Sequence, residues 1–307
     1  MLQLNLITGF LLLCGLSFAH GEMAMQSRFV KVGDGVQLFT EATGQPERGT
    51  ILLTMGATAS MVWWPDSLVT LLAKAGYQVV RFDHRDTGQS TTNLPGDVRY
   101  DVFDIAADLI AILDAYEVET ANLVGMSLGG YVSQIAAIVH PNRVRSLTLI
   151  ASEPLGIAYE GEGIDPKVLQ HFAGMADLNW TDRQAVVQFM LKIAELSAGS
   201  AAPFDTDLIL RRIEKELQRT GSMQSAFNHS MMSGELAPNL NAGRLDLPVL
   251  IVHGSEDPII SVSAAHASSV NIDGSQLLLL EGRGHEILDA DVPRIAEAIL
   301  VLAAREK

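Results

Sequence analysis

A serine between two glycines is the residue of this chain with the clearest potential for chemistry. Residues 125–129 read Gly-Met-Ser-Leu-Gly and place Ser127 between a β-forming apolar segment, residues 121–124, and a helical pattern that runs to residue 139. A serine on a sharp strand-to-helix turn is exposed at the end of a sheet, and the flanking glycines allow neighbouring backbone to approach closely. We therefore predict that Ser127 is a nucleophile. The alternative is a glycine-rich turn whose serine only caps the helix.

A serine nucleophile needs a base, and His285 is the best placed of the eight histidines. It follows the last predicted strand, residues 276–280, and precedes the last predicted helix, so we expect it on a loop at the carboxyl edge of the sheet. His84 also follows a predicted strand and is its main competitor.

The base in turn needs an acceptor that fixes its tautomer, and Asp257 fits this role. It follows the predicted strand at residues 248–253 on another strand-end loop. The chain order is then serine, aspartate, histidine, which is the order expected when a serine turn of this kind is catalytic. Glu256 is the nearest substitute acid, although it fits a solvated loop carboxylate better.

Two backbone N–H groups are candidates for stabilising a negatively charged oxygen during acyl transfer. One belongs to Leu128, the residue after the nucleophile. The other belongs to Ala57, on the loop after an early predicted strand, where Gly56 lets the backbone turn tightly.

Large apolar side chains near these positions predict a substrate pocket. Trp63 and Trp64 follow the Ala57 loop, although a structural role is equally compatible with either one. Methionines adapt to irregular apolar ligands but also fill gaps between packed helices. The predicted pocket residues are Gly56, Trp63, Trp64, Met126, Met231 and Met232.

The elements that must position these residues alternate between strand and helix. Residues 28–32 and 36–41 flank a turn and predict a hairpin. Six further apolar segments predict buried strands, at residues 51–55, 78–82, 121–125, 146–150, 248–253 and 276–280. Helical patterns between them predict an α/β fold with a mostly parallel eight-stranded sheet that carries helices on both faces.

One interval interrupts the alternation. Residues 153–240 show helical patterns but no convincing strand, so we predict an inserted helical cap over the strand ends, where open α/β sheets bind ligands. The sheet domain then comprises residues 28–152 and 241–307.

Composition excludes several classes of partner and site. Acidic residues outnumber basic ones by 36 to 21, and the resulting net charge of −15 argues against binding to nucleic acid or anionic membranes. The only cysteine, Cys14, allows no disulfide and no thiolate metal site. No metal and no cofactor is predicted.

The chain begins with an apolar run at residues 6–18. This run is short for a bilayer span, and small residues at Ser17 and Ala19 suit signal-peptide cleavage. We predict a signal peptide at residues 1–19, a secreted or periplasmic protein, and no stable membrane insertion after its removal. No Lys or Arg precedes the run, which is atypical, and a cytoplasmic protein with a retained extension is the alternative.

With these residues placed, the chain from Val36 to the last helix resembles the α/β-hydrolase superfamily. Three segments resemble the branch of small-molecule esterases that includes aclacinomycin methylesterase. They are Met55-Gly56 with the later Trp64-Pro65-Asp66, the segment Phe-Asp-His-Arg-Asp-Thr-Gly-Gln-Ser at 82–90, and the serine turn. Asp86 is the most specific position, since commoner members carry glycine there. Met55 departs from the superfamily, in which histidine is usual before the loop glycine.

The resemblance implies an α/β-hydrolase fold, the three catalytic residues Ser127, Asp257 and His285, and an oxyanion hole formed by Ala57 and Leu128. It also implies hydrolysis of a carboxylic ester. An apolar cap and an acidic surface favour a bulky neutral or cationic small molecule, such as a polyketide methyl ester or a macrolactone. Two alternatives remain. One is cofactor-free perhydrolase or haloperoxidase-type activity, and the other is a non-catalytic binding protein with this fold.

Overall fold

Eight strands form one sheet in the structure, a computed structural model that describes residues 25–33, 35–237 and 240–305. The predicted signal peptide lies outside these residues and stays a prediction. The strands are β1 (Met25–Val32), β2 (Val36–Thr43), β3 (Thr50–Thr54), β4 (Gln78–Phe82), β5 (Ala121–Met126), β6 (Val144–Ile150), β7 (Val249–Gly254) and β8 (Gln276–Leu280).

The strand order is β1-β2-β4-β3-β5-β6-β7-β8. The hairpin β1–β2 and the pair β2–β4 are antiparallel, and every other pair is parallel. All residues of the central strands β3, β5 and β7 are buried, as expected when helices cover both faces of a parallel sheet. The predicted α/β-hydrolase fold is confirmed.

Helices cover the sheet on two sides and pack two apolar cores against it. The helices of the described residues are α1 (Asp66–Lys74), α2 (Val102–Ala115), α3 (Leu128–Val139), α4 (Pro166–Ala173), α5 (Arg183–Ser197), α6 (Thr206–Arg219), α7 (Met223–Ala226), α8 (Val262–Asn271) and α9 (Val292–Ala303). One core includes residues of α2, α3 and α8, and the other includes α1 and α9. Within the described ranges, none of these helices has the length and apolar character needed to cross a membrane.

Helices α4 to α7 occupy the chain between β6 and β7, where the described residues contain no strand. We call this segment the helical insertion. Its helices begin at side chains that accept backbone N–H groups, for example Asp182 at α5 and Asp205 at α6. A separate apolar cluster, which includes Phe189, Ile213 and Phe227, holds the insertion together.

Candidate active site

Ser127 lies on the turn between β5 and α3. Its backbone has φ 51° and ψ −119°, a conformation that is strained for a residue with a side chain. Close packing explains the two glycines: a Cβ on Gly125 would lie 2.3 Å from the Gly129 carbonyl oxygen, and one on Gly129 would lie 2.0 Å from that of Thr54. The Ser127 N–H donates to the Ile150 carbonyl of β6 at 2.8 Å, which fixes the turn against the sheet.

Asp257 and His285 come together at the same sheet edge, after β7 and β8. The Nδ1 of His285 lies 2.7 Å from Asp257 Oδ2, while Asp257 Oδ1 accepts the N–H groups of Ile259 and Ile260. Burial alone would raise the pKa of Asp257, but the His285 charge and these hydrogen bonds hold it below its usual value. An ionised carboxylate requires Nδ1 to carry the proton, which leaves Nε2 of His285 as a proton acceptor.

Ser127 and His285 line one cavity of about 440 Å³. Among the described residues, the Ser127 hydroxyl has no hydrogen-bond partner, and catalytic hydrogen bonds are often long in a free enzyme. Gly56 is also close, since a Cβ there would lie 3.3 Å from the Ser127 Cβ. The site therefore combines an unpartnered hydroxyl and an oriented imidazole.

The competing base and acid from the sequence analysis have other contacts. His84 is buried, and its Nε2 lies 2.8 Å from the Met55 carbonyl oxygen. Burial, with the nearby His229 ring, lowers the pKa of His84 to about 3. Glu256 accepts the backbone N–H and the hydroxyl of Ser200 in the helical insertion. Neither side chain lines the cavity.

The loop after β3, residues 55–60, forms one wall of the cavity, and we call it the β3 loop. Ala57 on this loop is exposed to the cavity. Neither the Ala57 N–H nor the Leu128 N–H donates to any residue that the structure describes. Leu128 opens α3, and its side chain packs against the core. Two N–H groups without a partner among the described residues, one on the cavity wall and one directly after Ser127, are suited to stabilising a negative oxygen.

Half of the predicted pocket residues lie at the cavity. Gly56, Trp63 and Met126 line it. Trp64 does not, because its side chain is 1% exposed in the core between α1 and α9. The prediction was also wrong for two methionines of the insertion: Met231 is 53% exposed to solvent, and Met232 packs against the sheet core.

Other residues of the helical insertion form the apolar roof. They are Phe172, Met175, Met190, Ile193, Ile209, Met223 and Phe227. Two charged side chains, Arg212 of α6 and Glu286, also line the wall. The Arg212 guanidinium lies 3.6 Å from the Asp289 carboxylate. Burial raises the pKa of Glu286 above its usual value. The sequence pattern missed these residues because helical periodicity does not distinguish a face toward a cavity from a face toward the insertion's own core.

Clusters of metal-ligating side chains would indicate a metal site. The described residues hold no group of three or more His, Cys, Asp or Glu side chains that would suit a metal ion.

Comparison with known proteins supports the same family. A family model described as alpha/beta hydrolase fold matches residues 49–291. Rhodomycin D methylesterase DauP of Streptomyces sp. (strain C5) is 30% identical over 283 residues, which cover 87% of this chain and 94% of that protein. Rhodomycin D methylesterase DnrP of Streptomyces peucetius is 28% identical over 291 residues, covering 90% and 97%.

Solved structures are similar in fold. An esterase from Exiguobacterium antarcticum has a TM-score of 0.75 with 18% identity, and the match covers 91% of this chain and 100% of that one. A hydrolase from Pseudomonas aeruginosa has a TM-score of 0.70 with 22% identity, covering 91% and 98%.

Proposed function

Because the chain belongs to the α/β-hydrolase fold family, we propose that it is a carboxylic ester hydrolase whose nucleophile is Ser127. The observation that carries the proposal is the combination at one cavity of a strained, unpartnered Ser127 and a His285 imidazole held 2.7 Å from Asp257. These groups are the nucleophile, the base and the orienting acid that acyl transfer requires.

In the proposed reaction, Ser127 Oγ attacks the ester carbonyl while His285 Nε2 takes its proton. Asp257 stabilises the imidazolium that forms. The imidazolium then gives the proton to the leaving alcohol as the C–O bond breaks, which yields an acyl-enzyme. A water molecule, deprotonated by the same imidazole, attacks the acyl carbonyl. As the bond from the acyl carbon to Ser127 Oγ breaks, the imidazolium returns the proton to Oγ, which releases the acid and restores Ser127 and neutral His285.

The N–H groups of Ala57 and Leu128 would stabilise the oxyanion of both tetrahedral intermediates. Their lack of another partner in the described chain supports this role, since a preorganised donor needs no rearrangement as charge develops. The loss of one such donor typically lowers kcat by about 10²–10³-fold.

The cavity supports a bulky, largely apolar substrate. Its roof consists mainly of aromatic, methionine and branched aliphatic side chains, which suit a large apolar group. The wall carries one basic and one acidic side chain, Arg212 and Glu286, and so offers no strong net charge of either sign; we therefore favour a neutral substrate over the cationic one that the acidic composition also allowed. Since two relatives are named methylesterases, we favour a polyketide methyl ester over a macrolactone.

A fluorophosphonate probe tests this function directly. The wild-type protein should be labelled once per chain, and Ser127→Ala should abolish labelling and lower ester hydrolysis by about 10⁴-fold or more, because the other site residues cannot replace the nucleophile. Thermal unfolding should be nearly unchanged, since the hydroxyl fills no core volume. Retention of more than a few per cent of activity in pure Ser127→Ala protein would overturn the assignment.

A further inference from the structure

The β3 loop is fixed at both ends by side chains from two parts of the molecule. From the sheet side, His84 Nε2 lies 2.8 Å from the Met55 carbonyl oxygen, and Asp83 Oδ1 accepts the N–H of Met61 at 3.0 Å. From the helical insertion, His229 Nδ1 accepts the N–H of Thr58 at 3.0 Å. We propose that His229 is a positioning residue that holds the β3 loop so that the Ala57 N–H can stabilise the oxyanion. The inference rests on the function proposed above.

The hydrogen bonds of His229 define its tautomer. Nδ1 accepts from Thr58, and Nε2 lies 2.8 Å from the Arg85 carbonyl oxygen, which can only accept. A neutral imidazole offers one acceptor and one donor, so both contacts are satisfied when Nε2 carries the proton. Burial lowers the pKa of His229 and keeps the ring neutral. A protonated ring would instead direct an N–H at the Thr58 N–H.

Thr58 needs this support because its backbone is strained. Its φ is 65°, in the left-handed region that residues with a Cβ rarely adopt. Such conformations persist only where surrounding contacts hold them. The Thr58 N–H lies in the peptide plane directly after Ala57, so the bond to His229 limits how far the Ala57 backbone can rotate.

His229 is itself held by the turn on which it lies, the 3₁₀ helix Phe227–Met231. The preceding residue, Asn228, donates through Nδ2 to the buried carboxylate of Asp86 at 2.9 Å and accepts the Gly96 N–H at 2.8 Å. Phe227 of the same turn lines the cavity, so the turn that would contact substrate also fixes the β3 loop.

Two substitutions separate the contacts of His229. In His229→Asn the amide oxygen lies near the former Nδ1, so an acceptor for the Thr58 N–H is kept. In His229→Gln the amide lies near the former Nε2, so a donor to the Arg85 carbonyl is kept and the acceptor for Thr58 is lost. We expect His229→Gln to lower kcat by about 10-fold or more with KM within about 2-fold, and His229→Asn to stay within about 3-fold of wild type.

An arylboronic acid, which forms a tetrahedral adduct with an active serine, provides a second readout. Its inhibition constant should rise in His229→Gln by about the same factor as kcat falls, because adduct and transition state use the same N–H donors. If His229 had a purely structural role, His229→Gln would lower the thermal midpoint, but the inhibition constant would not rise in proportion to the fall in kcat. Equal effects of the two substitutions, or an unchanged inhibition constant in His229→Gln, would overturn the proposal.

A further variant covers the case in which His229→Gln does not fold. Asp86→Gly removes the carboxylate that accepts Asn228 and also the Tyr100 hydroxyl and the Asn93 N–H, leaves His229 intact and suits the positive φ of residue 86. It should lower kcat and weaken boronate binding together, by several-fold, and a wild-type boronate constant would overturn the inference. Failure of the proposed function is distinct, since wild-type protein would then resist the fluorophosphonate probe. If the probe labels the wild-type protein but kcat and the boronate inhibition constant of His229→Gln are unchanged, only the role of His229 is contradicted.

Discussion

The helical insertion contacts the sheet domain beside both parts of the active site, but through different chemistry. Beside His285 the loop is held by backbone contacts: the His285 N–H donates to the Ser197 carbonyl at 2.8 Å, and the Ala201 N–H donates to the Gly282 carbonyl at 2.9 Å. Glu256 and Glu286 add side-chain contacts to the backbone of Ser200 and Gly199. The chains approach so closely that a Cβ on Gly284 would lie 2.0 Å from the Ser197 carbonyl oxygen.

Beside the β3 loop the contacts are made by buried side chains. Besides His229, Glu216 of α6 accepts the N–H and the hydroxyl of Ser60 and the indole N–H of Trp63. One turn further along α6, Arg219 donates to Asp83 at 2.6 Å.

The two kinds of contact should respond to different changes. A backbone contact depends on steric space and hardly on pH, so it fails when a glycine gains a side chain. A buried polar contact depends on hydrogen-bonding type and protonation state, so it fails when either changes. The His285 side should therefore respond to volume and the β3-loop side to charge.

The largest effect is expected when a histidine beside the base is compared with one beside the β3 loop. His285→Ala removes the proposed base and should lower kcat by about 10⁴-fold or more, because residues that act as a unit fail together. His84→Ala removes only a support of the Met55 carbonyl and should cost at most about 100-fold. Steady-state kinetics on a nitrophenyl ester measure both. If His84→Ala is the more damaging substitution, His285 is not the base.

A glycine substitution tests the backbone contact itself. Gly284→Ala should displace the His285 loop from Ser197 and lower kcat by about 10- to 100-fold, since a shift of roughly 1 Å can cost a factor near 10². Gly174→Ala is the matched control, because a Cβ there meets no atom within 4 Å. Kinetics and thermal unfolding of both variants provide the measurement. Full activity of Gly284→Ala would show that this close approach is not required.

The sheet side of the site could be predicted from the sequence because its positions follow from strand ends. Ser127 and Asp257 follow the buried strands β5 and β7, and His285 follows the partly buried strand β8; parallel strands bring their carboxyl ends to one edge. The fold followed from the same alternation of strands and helices.

The insertion side could not be predicted in the same way. His229 and Glu216 lie on helices and are distant in sequence from the loop that they contact, so periodicity carries no signal for those contacts. Residue type alone predicts Met231 and Met232 at the pocket, but tertiary packing places Met190 and Met223 at the cavity instead. Which face of a short helix meets a cavity depends on tertiary packing.

The roof between the two contacts should select for substrate size. The kcat/KM for a bulky apolar methyl ester should exceed that for short acetate and butyrate esters by about 10-fold or more. The reason is that binding energy from parts of the substrate remote from the ester is used at the transition state. Met190→Ala should reduce that advantage by roughly 10-fold, while Met231→Ala, at an exposed position away from the cavity, should not change it. If short esters are the better substrates, a generalist carboxylesterase is the better description.

The smallest expected effect concerns the protonation of Glu216. Burial, with a smaller contribution from the Asp83 charge, raises its pKa to about 7 from 4.5, although the Ser60 hydrogen bonds and Arg219 favour the charged form. Between these values the folded protein holds a proton that the unfolded chain has released, so stability must fall as pH rises through this interval. Below it both states are protonated, and above it the loss is complete.

Glu216→Gln removes this titration while keeping an amide oxygen as acceptor for Ser60 and Trp63. The thermal midpoint of wild type relative to Glu216→Gln should therefore fall by roughly a few degrees between about pH 5 and pH 8, and then stay level. Scanning calorimetry of both proteins across this range measures the difference, with Gly174→Ala, which adds or removes no titratable group, as a control whose offset from wild type should lack this pH dependence. An offset for Glu216→Gln that is constant with pH would mean that Glu216 is charged throughout, and that the β3-loop side is no more sensitive to protonation than the backbone contact beside His285.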